Sequence, residues 1–440
     1  MSATEAGTVV VGAGAAGLQA AVDLAAAGED VLLLEARERI GGRILGTAVA
    51  GRHVELGAEF VHGRSPAVFD WLRRTGDAPV DAGMERWMLE QGRLRPSAPL
   101  FDALRTRLRR IERPRSDLPF ATFLDRHRRA LGPAMRRLAT SLVQGFDAAD
   151  AQRVSAREVL EEWEGGAAAD APTFRPGRGF SALVEGMRLA LPPDRVRLWC
   201  GTVVQTLRWR RGRVTLEATR FGEPVRVEAP RALVTVPLGV LQQPDGAPGA
   251  LRFEPPLASK RAALARLKAG PVLKLVLHFA RPFWETVDDG RLCNAAFFFA
   301  PEAPFPTFWT GLPVRHATLT AWSAGPAAAA LAGRDGAALL DPALASLASI
   351  FGRRRALAQA LEACAVHDWQ ADPCARGAYG YVLARGRGAR KALAEPVEDT
   401  LFFAGEACDV EGEAGTVGGA LNAGRRAARR MLAGPGSDRG

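Results

Sequence analysis

The sequence predicts an α/β fold in which a Rossmann-like dinucleotide-binding domain is interleaved with a second, α+β domain. Near the N-terminus, a β-branched run, a glycine-rich turn, an alanine-rich segment and a second apolar run follow one another between residues 8 and 35. Near the C-terminus, an apolar run at residues 401–404 leads through a glycine turn into a helix rich in small residues. The 440 residues fit two or three domains of about 150 residues each.

Composition excludes several classes of protein. Apolar residues make up 48% of the chain, so neither disorder nor a disulfide-stapled miniprotein is expected. Only four of the 58 basic residues are lysines, and we interpret the net charge of +10 as an arginine-rich compositional bias. A nucleic-acid or acidic-membrane partner is the alternative explanation of that charge.

The cysteines and the hydropathy pattern bear on location. The five cysteines form no CxxC pair, which favours reduced thiols over disulfides or a zinc site, and no metal is predicted. No run approaches the ~18 apolar residues of a membrane span. The N-terminus, MSATEAG, lacks the features of a secretory signal. We therefore expect a cytoplasmic protein with no membrane partner.

The N-terminal motif has the features of a dinucleotide-binding turn. The strand TVVV (residues 8–11) enters Gly12-Ala13-Gly14-Ala15-Ala16-Gly17 directly, and a helix follows. Gly12 permits the tight turn, Gly14 lets a pyrophosphate approach the backbone, and Gly17 lets the helix pack closely on the strand. The helix N-terminus offers N–H groups to the phosphates. Glu35, at the end of the second strand, is placed to accept both ribose hydroxyls.

The segments that follow distinguish between dinucleotides. Residues 36–43, ARERIGGR, contain a second glycine turn with an arginine, and residues 54–63, VELGAEFVHG, add further backbone turns. A nicotinamide enzyme has no need of these, whereas the longer FAD requires a second phosphate clamp and a cradle for its ring. Together with residues 401–432, LFFAGEACDVEGEAGTVGGALNAGRRAARRML, they resemble the flavin-dependent amine oxidase family. That family contains monoamine oxidases, polyamine oxidases and lysine-specific histone demethylases.

The resemblance implies FAD as the cofactor and a set of residues that bind it. Glu406 follows a turn where an acid holds a ribityl hydroxyl, and the helix that opens at Thr416 directs its partial positive charge at the N1/C2=O edge of the flavin. Ala378 occupies the position of the flavin-linking cysteine of monoamine oxidases, so non-covalent FAD is expected. The predicted cofactor-binding residues are Gly12, Gly14, Ala16, Gly17, Glu35, Arg37, Gly42, Arg43, Gly57, Ala58, Glu59, Phe60, Val204, Gly405, Glu406, Thr416, Val417 and Ala420.

Lys274 is the predicted catalytic residue. It interrupts the otherwise apolar run PVLKLVLHF at residues 271–279. From the pattern alone, an edge strand whose lysine reaches solvent is the favoured explanation. The resemblance instead implies a lysine beside flavin N5, where it holds or relays a proton during reoxidation of the flavin.

The resemblance also implies the substrate-binding residues. Residues 367–382, HDWQADPCARGAYGYV, match the segment beneath the flavin, so Trp369 and Tyr379 are assigned to the substrate site. Thr416 replaces the second cage tyrosine of monoamine oxidases, which leaves an open half-cage. His62 matches a histidine at the active-site mouth of polyamine oxidases, and a histidine that caps a turn is the alternative. The candidate carboxylates of the pocket are Glu59, Asp147, Asp150 and Glu161.

The middle of the chain is assigned to the substrate domain. Residues 70–166 have helical spacing without a glycine turn, and Leu104, Leu108 and Ile111 form one apolar stripe among solvent-facing arginines. Short strands return between residues 180 and 240. The predicted FAD-binding domain comprises residues 1–75, 175–262 and 366–434, and the substrate-binding domain residues 76–174 and 263–365. Residues 435–440 are predicted to be a tail.

The predicted function is that of an FAD-dependent amine oxidase. A hydride passes from the carbon alpha to the amine to flavin N5, the imine hydrolyses, and O2 reoxidises the flavin to give hydrogen peroxide. A small amine, including a polyamine, is the expected substrate, although the +10 charge would repel a polycation unless the pocket is locally acidic. The alternatives are a desaturase of the carotenoid or protoporphyrinogen oxidase type and a flavin-containing scaffold that binds nucleic acid.

Overall fold

A five-stranded parallel sheet forms the centre of the dinucleotide-binding half. The computed structural model describes residues 3–83, 85–164 and 172–433, so the predicted tail at 435–440 lies outside the described residues. Both faces of the sheet are covered, which is why its strands are short apolar runs without alternation. Its strands, in spatial order, are Val196–Trp199, Val31–Leu34, Thr8–Val11, Ala232–Val234 and Leu401–Phe403.

Two helices from opposite ends of the chain pack together on this sheet. Ala15–Ala26 follows the first glycine turn, and Val417–Ala433 is the C-terminal helix. Small residues on both helices permit their backbones to approach closely. A Cβ atom added at Gly424 would lie 2.3 Å from the carbonyl oxygen of Ala16. The two chain ends are thereby joined into one structural unit.

A second five-stranded sheet lies beside the parallel sheet. Its strands, in spatial order, are Thr4–Glu5, Glu223–Ala229, Arg213–Arg220, Thr202–Arg210 and Arg252–Glu254. The predicted return to strands is therefore correct for residues 196–234, whereas Leu238–Leu241 is a short helix. Residues 179–189 are instead a helix, Gly179–Leu189, because Phe180, Leu183, Val184 and Met187 recur at helical spacing and are all buried.

A seven-stranded mixed sheet forms the other half of the molecule. Val272–Phe279 lies inside this sheet with a neighbour on each side, so the edge-strand explanation for Lys274 is wrong. Helices Gly336–Phe351 and Arg354–Ala360 carry residues of the apolar core on this sheet. The strands, in spatial order, are Leu361–Asp368, Val272–Phe279, Thr318–Ala324, Thr307–Thr310, Phe297–Phe299, Arg86–Glu90 and Arg93–Pro96.

The last two of these strands correct the purely helical interpretation of residues 70–166. Arg86–Glu90 and Arg93–Pro96 form a hairpin, joined at Gln91 and Gly92, whose φ angles are +48° and +76°. Two successive positive φ angles are typical of the tight turns that connect hairpin strands. The expectation that this region lacks a glycine turn is therefore wrong, since one glycine in an otherwise arginine-rich stretch is enough to form it.

Residues 98–164 are mainly helical, as the spacing predicts. Leu104 and Leu108 are buried and Ile111 packs against the same cluster, which confirms the apolar stripe. The helices of this region are Ala98–Arg109, Phe120–Arg126, Arg128–Gly145 and Ala156–Glu164. The long helix is interrupted at Gly132, where φ is +67° and Pro133 follows.

Three smaller sheets connect the two halves. They pair Val61–His62 and Pro79–Asp81 with Thr173–Pro176, Leu267–Ala269 with Gly380–Val382, and Gly46–Val49 with Arg52–Glu55. The remaining helical segments are Pro66–Arg74, Leu238–Leu241, Ala258–Leu264, Phe283–Gly290, Gly325–Ala329, Ala389–Ala394 and Glu406–Cys408. The predicted domain boundaries remain a prediction. Those at 174/175 and 365/366 fall within strands Thr173–Pro176 and Leu361–Asp368, and the one at 262/263 falls within helix Ala258–Leu264.

The helices were also compared with the requirements of a membrane span. Of those in the described part of the chain, none has both the length and the hydropathy needed to cross a bilayer.

Candidate active site

A cavity of about 480 Å³ is lined by residues of both halves of the molecule. All the residues predicted to bind the cofactor, with the exception of Gly17, and the four predicted substrate residues border it. Of the candidate carboxylates, Glu59 and Asp147 border it, whereas Asp150 and Glu161 do not. A Cβ atom at Gly17 would lie 1.9 Å from the carbonyl oxygen of Gly12, so Gly17 permits close packing behind the cavity wall. Because residues 12–17 and 405–420 lie at opposite ends of the chain, their convergence on one cavity is a result of tertiary structure.

The first glycine turn opens toward the cavity. Gly12 has a φ of +107°, and a Cβ atom there would lie 2.7 Å from Oγ1 of Thr235, so no other residue fits without a shift. Gly14 is the N-cap of helix Ala15–Ala26 and makes no side-chain capping bond. The N–H groups of the first turn are therefore available to an anion at the cavity wall, where Ala15 and Ala16 lie.

Glu35 lies at the end of the second strand and is buried. Its carboxylate accepts hydrogen bonds from the backbone N–H of Ala13 at 2.9 Å and of Arg37 at 3.0 Å. A carboxylate has about four acceptor positions, so two further donors can be accommodated. Glu35 borders the cavity and can thus accept ribose hydroxyls in addition to fixing the turn.

The two arginines of the second glycine segment form ion pairs. Nη2 of Arg37 lies 2.7 Å from each carboxylate oxygen of Asp372. Burial alone would raise the pKa of Asp372, but hydrogen bonds from His367 and Arg37 lower it well below its usual value. Arg43 donates to Oε1 of Glu406 at 2.9 Å. Both arginines border the cavity, so a phosphate would be bound by guanidinium groups that carboxylates already orient.

The C-terminal helix begins at the cavity as the sequence predicts. Thr416 is the residue before Val417–Ala433, and its Oγ1 accepts a hydrogen bond from the N–H of Gly419 at 3.0 Å. This is the N-cap arrangement, which satisfies one of the free donors of the first turn. Thr416 therefore has a structural role at the helix start besides the cofactor and substrate roles predicted for it.

Lys274 is buried, and its amino group contacts the second backbone segment. It is 1% exposed and donates to the carbonyl oxygen of Gly57 at 3.1 Å and to Oε2 of Glu59 at 2.7 Å. Glu59 also accepts hydrogen bonds from Nε1 of Trp309 at 3.0 Å and from Nε of Arg175 at 3.1 Å. Burial alone would raise the pKa of Glu59, but the charges of Lys274 and Arg175 lower it, so the carboxylate is ionised.

Aromatic side chains form much of the cavity wall next to this pair. The ring of Trp309 lies 5.2 Å from the amino group of Lys274. Phe60, Phe297 and Trp322 pack around Trp309, with ring centroids 5.5 to 6.3 Å away. These rings make the site largely apolar, which favours a neutral amine over an ammonium ion beside them.

The predicted substrate residues lie along the same wall. Tyr379 donates through its hydroxyl to the carbonyl oxygen of Phe146, and the ring of Phe146 packs 4.9 Å from that of His62. Burial, followed by the charge of Arg86, lowers the pKa of His62 to about 4, so this histidine is neutral at physiological pH. Trp369 is almost fully buried and donates to the carbonyl oxygen of Leu56 at 3.0 Å. The role of these residues toward a substrate remains a prediction.

Several residues of the site were not identified from the sequence. Trp309 lies on a strand, where alternate side chains point to opposite faces of the sheet. This alternation does not show which strand of the sheet faces the cavity. No sequence pattern distinguishes Arg175 from the many other arginines of the chain. Trp322 lies opposite Lys274 on the neighbouring strand, a relationship fixed by the register of the sheet.

Comparison with known proteins identifies the family. Residues 15–432 match the family described as flavin containing amine oxidoreductase. The chain belongs to that family. The match confirms the predicted family, the α/β fold class and FAD as the cofactor. It also confirms amine oxidation as the function class at the level of the family. Amine oxidation is favoured over the desaturase and the nucleic-acid-binding scaffold.

Two sequence relatives of this chain illustrate the assignment to the family. The chain is 28% identical to human lysine-specific histone demethylase 2 over 97% of its own length and 53% of that protein. It therefore spans about half the length of that relative. It is 29% identical to polyamine oxidase 3 of Oryza sativa subsp. japonica over 96% of its own length and 88% of the relative.

Solved structures of two amine oxidases share the fold of this chain. A structure of wild-type putrescine oxidase bound to putrescine superposes with a TM-score of 0.80 at 22% identity, covering 98% of this chain and all of the other. Cyclohexylamine oxidase from Brevibacterium oxydans superposes with a TM-score of 0.76 at 20% identity, covering 97% and 99%. At these identities the similarity establishes the fold alone.

The residues of the cavity fit FAD. Gly405 has a φ of +132°, and a Cβ atom there would meet no atom within 4 Å, so the backbone opens directly onto the cavity. The first glycine turn offers N–H donors at the other end, and Glu35 and Glu406 offer acceptors. Donors for phosphates and acceptors for hydroxyls therefore occur in one cavity, as an FAD molecule requires.

Proposed function

We propose that this protein is an FAD-dependent amine oxidase that converts a primary or secondary amine to an imine and passes the electrons to O2, giving hydrogen peroxide. The observation that carries the proposal is the position of Lys274. It is a buried cation held by Glu59 and Gly57 in an aromatic wall, inside the cavity that both glycine segments border.

The protein contributes binding and orientation, and the cofactor contributes the redox chemistry. FAD, when bound, accepts a hydride from the carbon alpha to the amine nitrogen and is reoxidised by O2. The turn at Gly12 and Gly14 would hold its phosphates, and Glu35 and Glu406 its hydroxyl groups. The N-terminus of helix Val417–Ala433 supplies a positive potential beside Thr416 that stabilises an anion there.

The aromatic wall selects the protonation state of the substrate. The amine must be uncharged for its lone pair to assist loss of the hydride. Trp309, Trp322 and Tyr379 surround the site with apolar surface, which lowers the pKa of a bound ammonium group and favours the neutral amine. Burial, with the charges of Asp147 and Glu162, raises the pKa of Tyr379 well above its usual value, so its phenol stays neutral.

Lys274 and Glu59 form the proton-holding group. Because Glu59 is ionised, it fixes the amino group of Lys274 at the cavity wall. Reduction of O2 to hydrogen peroxide consumes two protons, and we assign to Lys274 the delivery of one of them.

A location in the cytoplasm remains our prediction, supported by the free cysteines of the described residues.

Substitution of Lys274 tests this function. The protein is purified with FAD, reduced by an amine without oxygen, and then mixed with O2 while the flavin absorbance and peroxide are recorded. We expect the wild type to be bleached by an amine, and K274M to retain FAD but to turn over at least about 100-fold more slowly. Lys268, which is exposed on strand Leu267–Ala269, provides the control K268M. Turnover of K274M at the wild-type rate would refute the assigned role.

A further inference from the structure

Asp147 places an unpaired carboxylate oxygen in the wall of the same cavity. It follows closely after helix Arg128–Gly145 and is 9% exposed. Its Oδ2 atom is buried and has no hydrogen-bond partner among the residues that the structure describes. A buried carboxylate oxygen without a partner is energetically costly, so it is retained where a ligand supplies the partner.

Among the described residues, the charge that acts on Asp147 is that of an acid, Glu162, and no cation offsets it. Burial raises the pKa of Asp147 well above its usual value, the neighbouring charge of Glu162 raises it further, and a hydrogen bond from Trp163 acts in the opposite direction. Glu162 lies on helix Ala156–Glu164 and also borders the cavity. Burial raises the pKa of Glu162, while the nearby charge of Arg390 lowers it. Asp147 is thus the member of this pair that lacks a positive partner within the described residues.

Asp147 also lies next to the aromatic wall. Its neighbour in sequence, Phe146, accepts the hydroxyl hydrogen bond of Tyr379 through its carbonyl oxygen. Phe146, Asp147 and Tyr379 all border the cavity, so a substrate that contacts the aromatic wall lies in the same cavity as the carboxylate.

We propose that Asp147, assisted by Glu162, binds a second, protonated amino group of the substrate, so that the enzyme is selective for diamines or polyamines over monoamines. The inference rests on the proposed amine oxidase function. The reacting nitrogen has to be neutral, and a carboxylate beside it would instead favour its ammonium form. The carboxylate therefore serves another nitrogen of the same molecule.

A local acidic subsite also accounts for how a protein of net charge +10 would bind a polycation. The overall charge repels such a ligand at long range, but screening limits that effect to about 10 Å at ordinary ionic strength. Inside the cavity the nearby carboxylates determine the interaction. An ammonium group beside Asp147 supplies the missing counter-charge and favours the ionised carboxylate.

The test compares two amines of equal chain length, 1,4-diaminobutane and 1-aminobutane, on the FAD-loaded protein. We expect the wild type to have a kcat/KM at least about 10-fold higher for the diamine, since an ionic hydrogen bond contributes about this factor or more. We expect D147N to lower kcat/KM for the diamine by about 10- to 100-fold and to leave the monoamine within about threefold. Asp150, on the same loop, caps a local turn through the N–H of Gln152, and D150N is the matched control that should retain the wild-type ratio.

The outcomes distinguish a failure of the proposed subsite from a failure of the proposed oxidase function. If D147N lowers kcat/KM for both amines equally, or leaves kcat/KM for the diamine unchanged, the proposed subsite is overturned. In that case, bleaching of the wild-type flavin by either amine still supports the oxidase function. If no amine bleaches the wild type, the proposed function fails and the subsite with it. If D147N does not fold with FAD, the wild-type ratio decides: a monoamine preferred to the diamine overturns the subsite.

Discussion

Lys274 and Glu59 are 215 residues apart in the chain and form a buried ion pair with an Nζ–Oε2 distance of 2.7 Å. The lysine lies on the strand next to one edge of the seven-stranded sheet, and the glutamate follows the backbone turn at Gly57. Their contact joins the two halves of the molecule at the cavity wall. Since Arg175 and Trp309 also donate to Glu59, the carboxylate positions the lysine and its surroundings together.

Removing the charge of Glu59 should impair catalysis more than folding. In E59Q the amino group of Lys274 loses its counter-charge and keeps the carbonyl oxygen of Gly57 as an acceptor, so its position at the cavity wall changes. We expect kcat to fall by about 10-fold or more while FAD remains bound. Stopped-flow recording of flavin reduction and reoxidation measures this, with exposed Glu302 supplying the control E302Q. Unchanged rates in E59Q would show that Lys274 acts without its partner.

The ion pair between Arg37 and Asp372 should be important for stability. Both oxygens of Asp372 lie 2.7 Å from Nη2 of Arg37, and both side chains are largely buried. R37A removes the guanidinium from a largely buried carboxylate that keeps the hydrogen bond from His367, so we expect the free energy of unfolding to fall by about 2–3 kcal/mol.

Urea unfolding of R37A, D372N and the double variant measures this coupling. The double variant should be less destabilised than the sum of the single variants. R188A, which breaks the exposed pair of Arg188 with Glu185, should leave the unfolding midpoint nearly unchanged. Strict additivity of R37A and D372N would contradict an energetic contact between the two side chains.

Close packing between the two terminal helices should depend on Gly424. The Cβ atom introduced by G424A would lie 2.3 Å from the carbonyl oxygen of Ala16, so the helices must separate. We expect a loss of about 1–3 kcal/mol in the free energy of unfolding and weaker FAD binding, because Ala16 borders the cavity. Thermal unfolding and FAD titration measure the two effects. R429A, at an exposed position of the same helix, should change neither, and a neutral G424A would show that the helices adjust freely.

His62 should make stability depend on pH in the acidic range. Burial, followed by the charge of Arg86, lowers its pKa from 6.5 in the unfolded chain to about 4 in the folded protein. Between these values the unfolded chain binds more protons, so the free energy of unfolding falls as pH drops from 6.5 to about 4 and is unaffected by His62 above that range. H62Q removes this dependence.

Urea unfolding at several pH values between about 7 and 5 compares the wild type with H62Q. The stability difference between them should change in favour of H62Q as the pH is lowered. H127Q, at a histidine outside the cavity, should follow the wild type. A constant difference between wild type and H62Q over the whole range would contradict a lowered pKa of His62 in the folded protein.

The sequence by itself determined the local units of this protein and its family. The strand Thr8–Val11, the glycine turn and the helix Ala15–Ala26 follow from β-branched residues, positive φ angles and small side chains that are neighbours in the chain. The same is true of the apolar stripe at Leu104 and Leu108. These features depend on the spacing of residues within one element, which a sequence displays directly.

Only the tertiary structure shows which side chains form ion pairs with one another. Nothing near Lys274 in the sequence indicates Glu59, and nothing near Arg37 indicates Asp372, 335 residues away. Likewise, the sequence offered several carboxylates for the pocket, and only the packing of helices and sheets shows that Asp147 borders the cavity, with one oxygen that has no partner in the described part of the chain. Ion pairs and buried charges depend on distances of a few ångströms in space, and those distances are fixed by how the elements pack together, not by residue order.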